Sequence, residues 1–374
     1  MKVALNPSFE IDIQLSSVSH INSVDFENLQ FGKVFTDHMF VADYAGGKWQ
    51  NCMIRPISSL HLHPATSALH YGQAIFEGMK AFKNQEGKAG VFRPDMNWNR
   101  INESCVRMAI PEIPEELFMN AIFNLVDIEQ NWIPDTDDGS MYIRPFIFAT
   151  DDFVGIKPSD TFKFVIFCCP VSKYYQKPVR VYMQEEYVRA FPGGTGAVKA
   201  AGNYAATMMP LKAIREKGYD QMLWIDGVTH NRLQEIGTMN VFIQIDDTII
   251  TIPTDEGTIL KGVTRDSCIT LLKEAGYKVE IRDVTIEELL NAQRAGRLLD
   301  AFGTGTAATI APIGVIGYKD VAYELPPVEG RKTSNWLKQE MWEIRKGIAK
   351  DRYGWMWDVE TYIKNYSNKI GVEE

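Results

Sequence analysis

The sequence predicts two α+β domains, and three observations carry that expectation. The chain has 374 residues, enough for about two domains at roughly 150 residues each. Hydrophobic content is 45% and charged content 23%, the balance of a chain that buries a core. Strand-like and helix-like runs mix along both halves, with hairpin signals among them.

In the first half, "HMFVADYAGGKWQNCMIRPI" reads as a hairpin turned by Gly46-Gly47. "NWNRINESCVRMAI" and "PEELFMNAIFNLVDIEQNWI" have helical periodicity, the second opened by Pro114 and two glutamates. "MYIRPFIFAT" and "TFKFVIFCCPV" are rich in β-branched and aromatic residues and read as strands. Polar, proline-bearing "SKYYQKPVR" at 172–180 reads as the linker. It separates a smaller domain over 1–171 from a larger one over 181–374. Beyond the linker, "YAATMMPLKAIREKG" reads as a helix closed by Gly218, kinked or cut short by Pro210. Residues 220–253 read as an antiparallel meander, with turns at Asp226-Gly227 and Asp246-Asp247. Helices are expected at 265–275, 286–295 and 335–349, with a glycine-rich stretch at 303–307.

Net charge is −9 and pI about 5.3, and no Lys/Arg run occurs, which argues against nucleic acid or an anionic membrane as partner. The five cysteines lack C-x-x-C spacing and are odd in number, which points to a reducing compartment. The N-terminal stretch lacks the apolar segment of a signal peptide, and no apolar run reaches the ~20 residues of a spanning helix. A cytoplasmic protein is the expectation. His61, His63 and His70 cluster without an acidic or cysteine ligand beside them, so no metal site is expected.

The stretch with the most chemical content is "FPGGTGAVKAAGNYAATM", where Lys199 stands among glycines and alanines. Such neighbours form no salt bridge with the amine and let backbone and ligand approach closely. A lysine serves as nucleophile when desolvation or a nearby cation frees its amine of a proton. On this stretch alone, a solvated loop lysine fits as well. Pyridoxal phosphate needs a lysine, an acid at the pyridine nitrogen, a donor at the ring hydroxyl and an anion site. Tyr204 lies five residues after Lys199, and Glu235 is a carboxylate on an apolar strand. Two stretches suit an anion: "LKGVTRDSC", where Gly262 and Thr264 precede a helix, and the Thr-Gly turn "FGTGTAA".

Together these residues resemble the branched-chain amino-acid aminotransferases, fold-type IV pyridoxal phosphate enzymes. "HPATSALHYGQAIFEGMKAF", "VFRPDMNWNR", "MYIRP", "GGTGAVKAAGNYAATM", "LQEIGTMNVF", "GVTRDS" and "FGTGTAA" carry the likeness in that order. Chain length and "FGKVFTDHM" look more like the larger, eukaryotic-type branch than the shorter common bacterial one. The resemblance implies a cofactor at the domain interface, with Lys199 forming the Schiff base and moving the Cα proton. It implies Glu235 at the pyridine nitrogen, Tyr204 at the ring hydroxyl and Leu260 against the ring. Arg100, Val263, Thr264 and Thr306 would hold the phosphate. Phe31, Tyr71, Phe76, Tyr142, Arg144, Tyr174, Thr238 and Ala307 would line the substrate pocket, with Arg144 for the side-chain carboxylate of glutamate. The segment around Tyr71 would reach a neighbouring subunit, which implies a homodimer. Mammalian members carry a redox C-x-x-C after the phosphate turn. Here Ala308 and Ala311 stand at those positions, so no thiol switch is expected there.

Two relatives of the same fold, D-amino-acid aminotransferases and aminodeoxychorismate lyases, share the lysine and glutamate. The "FEGMKAF" and "GTMNVF" contexts favour branched-chain substrates. "GTGTAA" also fits a dinucleotide-binding G-x-G-x-x-A, but Ile310, Pro312 and Gly314 follow where that motif must open a helix. "GGTGAVKA" fails as a P-loop, because Ala200 replaces the Ser/Thr that holds magnesium.

Overall fold

Apolar strands of the first half pair into one sheet, and those of the second half into another. The structure is a computed structural model that describes residues 9–172, 175 and 177–370. The chain divides into two units, one of Met1–Lys173 with Glu343–Glu374, the other of Tyr174–Trp342.

The first unit runs through β1 (Asp12–Ile13), β2 (His38–Ala45), β3 (Lys48–Pro56) and α1 (Ser67–Tyr71). There follow β4 (Ala74–Phe76), β5 (Met79–Lys83), β6 (Ala89–Phe92), α2 (Pro94–Arg107) and α3 (Glu115–Glu129). Strands β7 (Ser140–Ala149) and β8 (Phe162–Val171) complete this stretch. The second unit begins with β9 (Val179–Gln184), α4 (Gly202–Ala205), α5 (Met208–Glu216) and β10 (Gln221–Ile225). It continues with β11 (Leu233–Ile236), β12 (Asn240–Ile245), β13 (Thr248–Thr251), α6 (Val263–Glu274) and β14 (Lys278–Ile281). Then come α7 (Ile286–Arg294), β15 (Leu298–Gly305), β16 (Thr309–Tyr318), β17 (Val321–Glu324) and α8 (Lys332–Arg345), whose last three residues belong to the first unit. The described residues close, back in the first unit, with β18 (Met356–Asp358) and α9 (Val359–Ile370).

The first sheet has the order β1-β3-β2-β8-β7-β5-β6-β18, with β4 also on β7. Gly46 and Gly47 both adopt positive φ in the β2–β3 turn, the conformation a two-residue hairpin demands. α3 starts at Glu115 and Glu116, whose charges suit the positive helix N-terminus. Its Leu117, Phe118, Ile122 and Phe123 are fully buried in one cluster with Phe40 and Phe164 of the sheet. Each such side chain contributes about 1.5–3 kcal/mol by leaving water.

The second sheet has the order β11-β10-β9-β16-β15-β12-β13-β14, with β17 on β16. It is mixed, since β9 pairs in parallel with both β10 and β16. Val181, Leu223, Val241, Ile243, Leu289 and Ile313 meet in its core. Thr285 caps α7, its hydroxyl accepting the Glu288 N–H at 3.1 Å.

The structure departs from the sequence expectations at particular places. Residues 181–374 do not all pack together: β18 pairs with β6 and α9 lies against α3, in the first unit. The expected turn at Asp226-Gly227 is a longer loop. Its backbone wraps the Asp226 carboxylate, which accepts the N–H groups of Val228, Thr229, Asn231 and Arg232. The expected meander is two hairpins, because β12 leaves β11 to pair with β13 and β15. Pro210 sits in the first turn of α5, where its missing N–H costs no bond, and the helix break precedes it. The "GTGTAA" turn opens strand β16 and no helix. Among the described residues, no helix is long and apolar enough to cross a membrane.

Candidate active site

In the second unit, Lys199 lies between buried Val198 and Ala200, so the backbone is anchored on both sides of it. Asn203 staples this loop: its Nδ2 donates to Thr195 O at 2.7 Å and Val198 O at 2.9 Å, and its Oδ1 accepts from Thr195 Oγ1 at 2.6 Å. One residue on, α4 presents Tyr204, whose Oη accepts from Lys199 Nζ at 3.1 Å. Gly196 allows the close approach beneath: a Cβ there would lie 2.5 Å from Thr258 O.

Glu235 is buried on β11. Its Oε2 accepts from the Leu260 N–H at 3.2 Å, and Asn240 Nδ2 stands 3.5 Å from the same oxygen. Asn240 also donates to Leu260 O at 2.9 Å, which ties the 260 loop to the carboxylate strand. Oε1 stands 3.0 Å from Nε of buried Arg189, a residue the motifs did not single out. The Nη2 of Arg189 donates to Gly196 O at 3.0 Å and to Thr258 O.

After Leu260 the chain enters α6 through Gly262, which has no side chain to cap the helix. The first intrahelical bond is Asp266 N–H to Gly262 O. The N–H groups of Val263, Thr264 and Arg265 have no intrahelical acceptor, which makes this end suit an anion. Gly262 is required by space, since a Cβ would lie 2.0 Å from Asn240 Oδ1. Thr306 and Ala307 form the turn between β15 and β16, both half-buried, and Thr238 is exposed in the turn after β11.

In the first unit, the strand register gathers a second group on one sheet face. Tyr142 and Arg144 lie two apart on β7; Arg144 Nη2 donates to Tyr142 Oη at 3.0 Å. The Arg144 guanidinium covers the Phe76 ring at 4.6 Å, and Phe31 meets Tyr142 edge-on at 5.1 Å. Lys80 stands directly opposite Tyr142 in the β5–β7 ladder, and the motifs did not single it out either. Tyr71 ends α1 with 43% of its surface exposed. Arg100 is buried on α2 and engaged with Glu77. Tyr174 lies outside the described residues.

The donor set of the second unit fits pyridoxal phosphate: a lysine beside a tyrosine hydroxyl, a buried carboxylate held from several sides, and helix-end amides without a side-chain cap. A family model described as amino-transferase class IV matches residues 74–316, and the chain belongs to that family of pyridoxal phosphate-dependent transaminases. It is similar to branched-chain-amino-acid aminotransferase 2 of Bacillus subtilis (strain 168), 42% identical over 339 residues, 90% of this chain and 93% of that protein. The branched-chain-amino-acid aminotransferase of Mycolicibacterium smegmatis is 36% identical over 337 residues, 88% of this chain and 92% of that one. Among solved structures, the Escherichia coli branched-chain aminotransferase superposes with TM-score 0.69 at 24% identity, over 86% of this chain and 99% of that one. The enzyme from Thermoproteus uzoniensis does so with TM-score 0.71 at 23% identity, with the same coverage. These likenesses identify the two-domain α+β architecture as fold type IV.

Proposed function

We propose that this transaminase moves amino groups between leucine, isoleucine or valine and 2-oxoglutarate, in two alternating half-reactions, as a homodimer. The observation that carries this reading is the first unit's aromatic face, where Phe31, Phe76 and Tyr142 surround Arg144. Aromatic walls suit a branched aliphatic side chain. Arg144 suits the side-chain carboxylate of glutamate, so one face serves both substrates in turn. The names of the bacterial relatives point the same way.

Pyridoxal phosphate, when bound, supplies an electrophilic carbon and an electron sink. Lys199 is the residue assigned to bond it and then to carry the proton to and from the substrate Cα. Tyr204 orients that amine through its hydroxyl and donates to the ring hydroxyl. Glu235 holds a proton at the pyridine nitrogen, and Leu260 packs on the ring. Val263 and Thr264 amides, with Thr306 and Arg100, are assigned to the phosphate. Thr238 and Ala307 border the substrate carboxylate, and exposed Tyr71 is assigned to the neighbouring subunit. Turnover of L-leucine against D-alanine, each with 2-oxoglutarate, tests the reading. Leucine is expected to be the substrate. Preferred turnover of D-alanine would replace it with a D-amino-acid aminotransferase.

A further inference from the structure

Arg189 touches three segments of the second unit's candidate site: the lysine loop, β11 with Glu235, and the loop that leads into α6. Its Nε stands 3.0 Å from Glu235 Oε1, and both side chains are buried. Its Nη2 bridges Gly196 O, three residues before Lys199, and Thr258 O, two before Leu260. Gly196 and Thr258 approach so closely that a Cβ on the glycine would meet that same carbonyl at 2.5 Å. We propose that Arg189 is a positioning residue. It holds Glu235 in place as an ionised carboxylate and locks the lysine loop to the loop that leads into α6.

The physical case is specific to arginine. A planar guanidinium carries one delocalised charge on a fixed fork of donors, so one side chain pairs with a carboxylate at 3.0 Å while its Nη2 donates to two carbonyls. A lysine at this site would serve fewer of these acceptors with less directional control. The permanent positive charge favours the ionised form of a carboxylate 3.0 Å away. The remaining oxygen, Oε2, is held by the Leu260 N–H, so the carboxylate has little freedom to rotate. A carboxylate held this way is fixed in both charge and direction before any ring nitrogen meets it.

This inference rests on the proposed role of Glu235, and its test separates the two. The cycle compares wild type, Arg189→Met, Glu235→Gln and the double variant, all loaded with pyridoxal phosphate. The readouts are the rate of cofactor release into buffer and the pH midpoint of the visible absorption band, with leucine turnover alongside. If Arg189 acts through Glu235, Arg189→Met speeds release and shifts the midpoint in the wild-type background. In the Glu235→Gln background the same change has an effect smaller by about tenfold or more. Equal effects in both backgrounds, or no effect of Arg189→Met, would overturn the proposal. Where Arg189→Met does not load, Arg189→Lys takes its place in the cycle and is read by the same criterion. An unaltered band and release rate in Glu235→Gln alone would instead overturn the role given to Glu235.

Discussion

Arg100 and Glu77 form a bidentate pair inside the first unit, with Nε 2.7 Å from one carboxylate oxygen and Nη2 2.8 Å from the other. Asn97 Nδ2 donates to Glu77 Oε2 at 2.7 Å, and the Gly78 N–H at 3.1 Å. Both side chains are buried, so removing the carboxylate strands a guanidinium out of water. Glu77→Ala is expected to cost about 3–5 kcal/mol in urea unfolding at pH 7. A loss under about 1 kcal/mol, the usual worth of an exposed pair, would contradict the buried geometry.

Lys80 gives stability a pH dependence. Burial, and after it the neighbouring Arg345 guanidinium, pull its pKa down to about 7. In the unfolded chain the amine stays protonated to about pH 10.4. Between about pH 7 and 10 the unfolded state therefore binds more protons, and this residue makes stability rise with pH, by at most about 1.4 kcal/mol per unit. Lys80→Met is expected to be relatively most stable near pH 7, with its advantage over wild type shrinking toward pH 10. Parallel stability curves for the two proteins would count against a buried, neutralised Lys80.

Two glycines in the second unit separate backbone from side-chain constraint. A Cβ at Gly196 would meet the Thr258 carbonyl, which is backbone and cannot step aside cheaply. A Cβ at Gly303 would meet the Met239 side chain at 2.8 Å, and methionine repacks readily. Gly196→Ala is expected to lower the melting temperature and speed cofactor release, and Gly303→Ala to do much less of either. The reverse ranking would show that the Gly196 loop is not closely packed on Thr258.

These residues also show what the chain reveals before folding. Lys199, Tyr204 and Glu235 stand out locally, because a lysine among glycines and a carboxylate on an apolar strand break the pattern around them. Arg189, in "YVRAFPGG", breaks no local pattern. Its burial comes from Thr258 and Glu235, partners far along the chain. Lys80 is similar, since "GMKAF" looks like a strand with one outward lysine until pairing with β7 sets Tyr142 beside it. β18 is three residues long, too short for periodicity, and its place depends on β6. The Asp226 loop is hidden in the sequence for another reason: Asp-Gly signals a tight turn, but here the carboxylate gathers backbone N–H groups over several residues.

The role proposed for Tyr204 predicts an effect on rate through its contact with Lys199. Tyr204→Phe keeps the ring and removes the hydroxyl that stands 3.1 Å from the amine. Turnover is expected to fall about tenfold or more, as for a hydrogen bond involving a charged group, with melting temperature nearly unchanged. A variant as fast as wild type would remove Tyr204 from the machinery.

In the proposed function, Lys199 binds pyridoxal phosphate and carries amino-group transfer from leucine. The visible absorption spectrum of the purified, cofactor-loaded protein tests it most directly. The wild type is expected to be yellow, to bleach on addition of L-leucine and to recover its colour with 2-oxoglutarate. Lys199→Ala is expected to lose both that band and turnover. A wild-type spectrum indifferent to leucine, or a Lys199→Ala variant that is active and normally coloured, would contradict the claim.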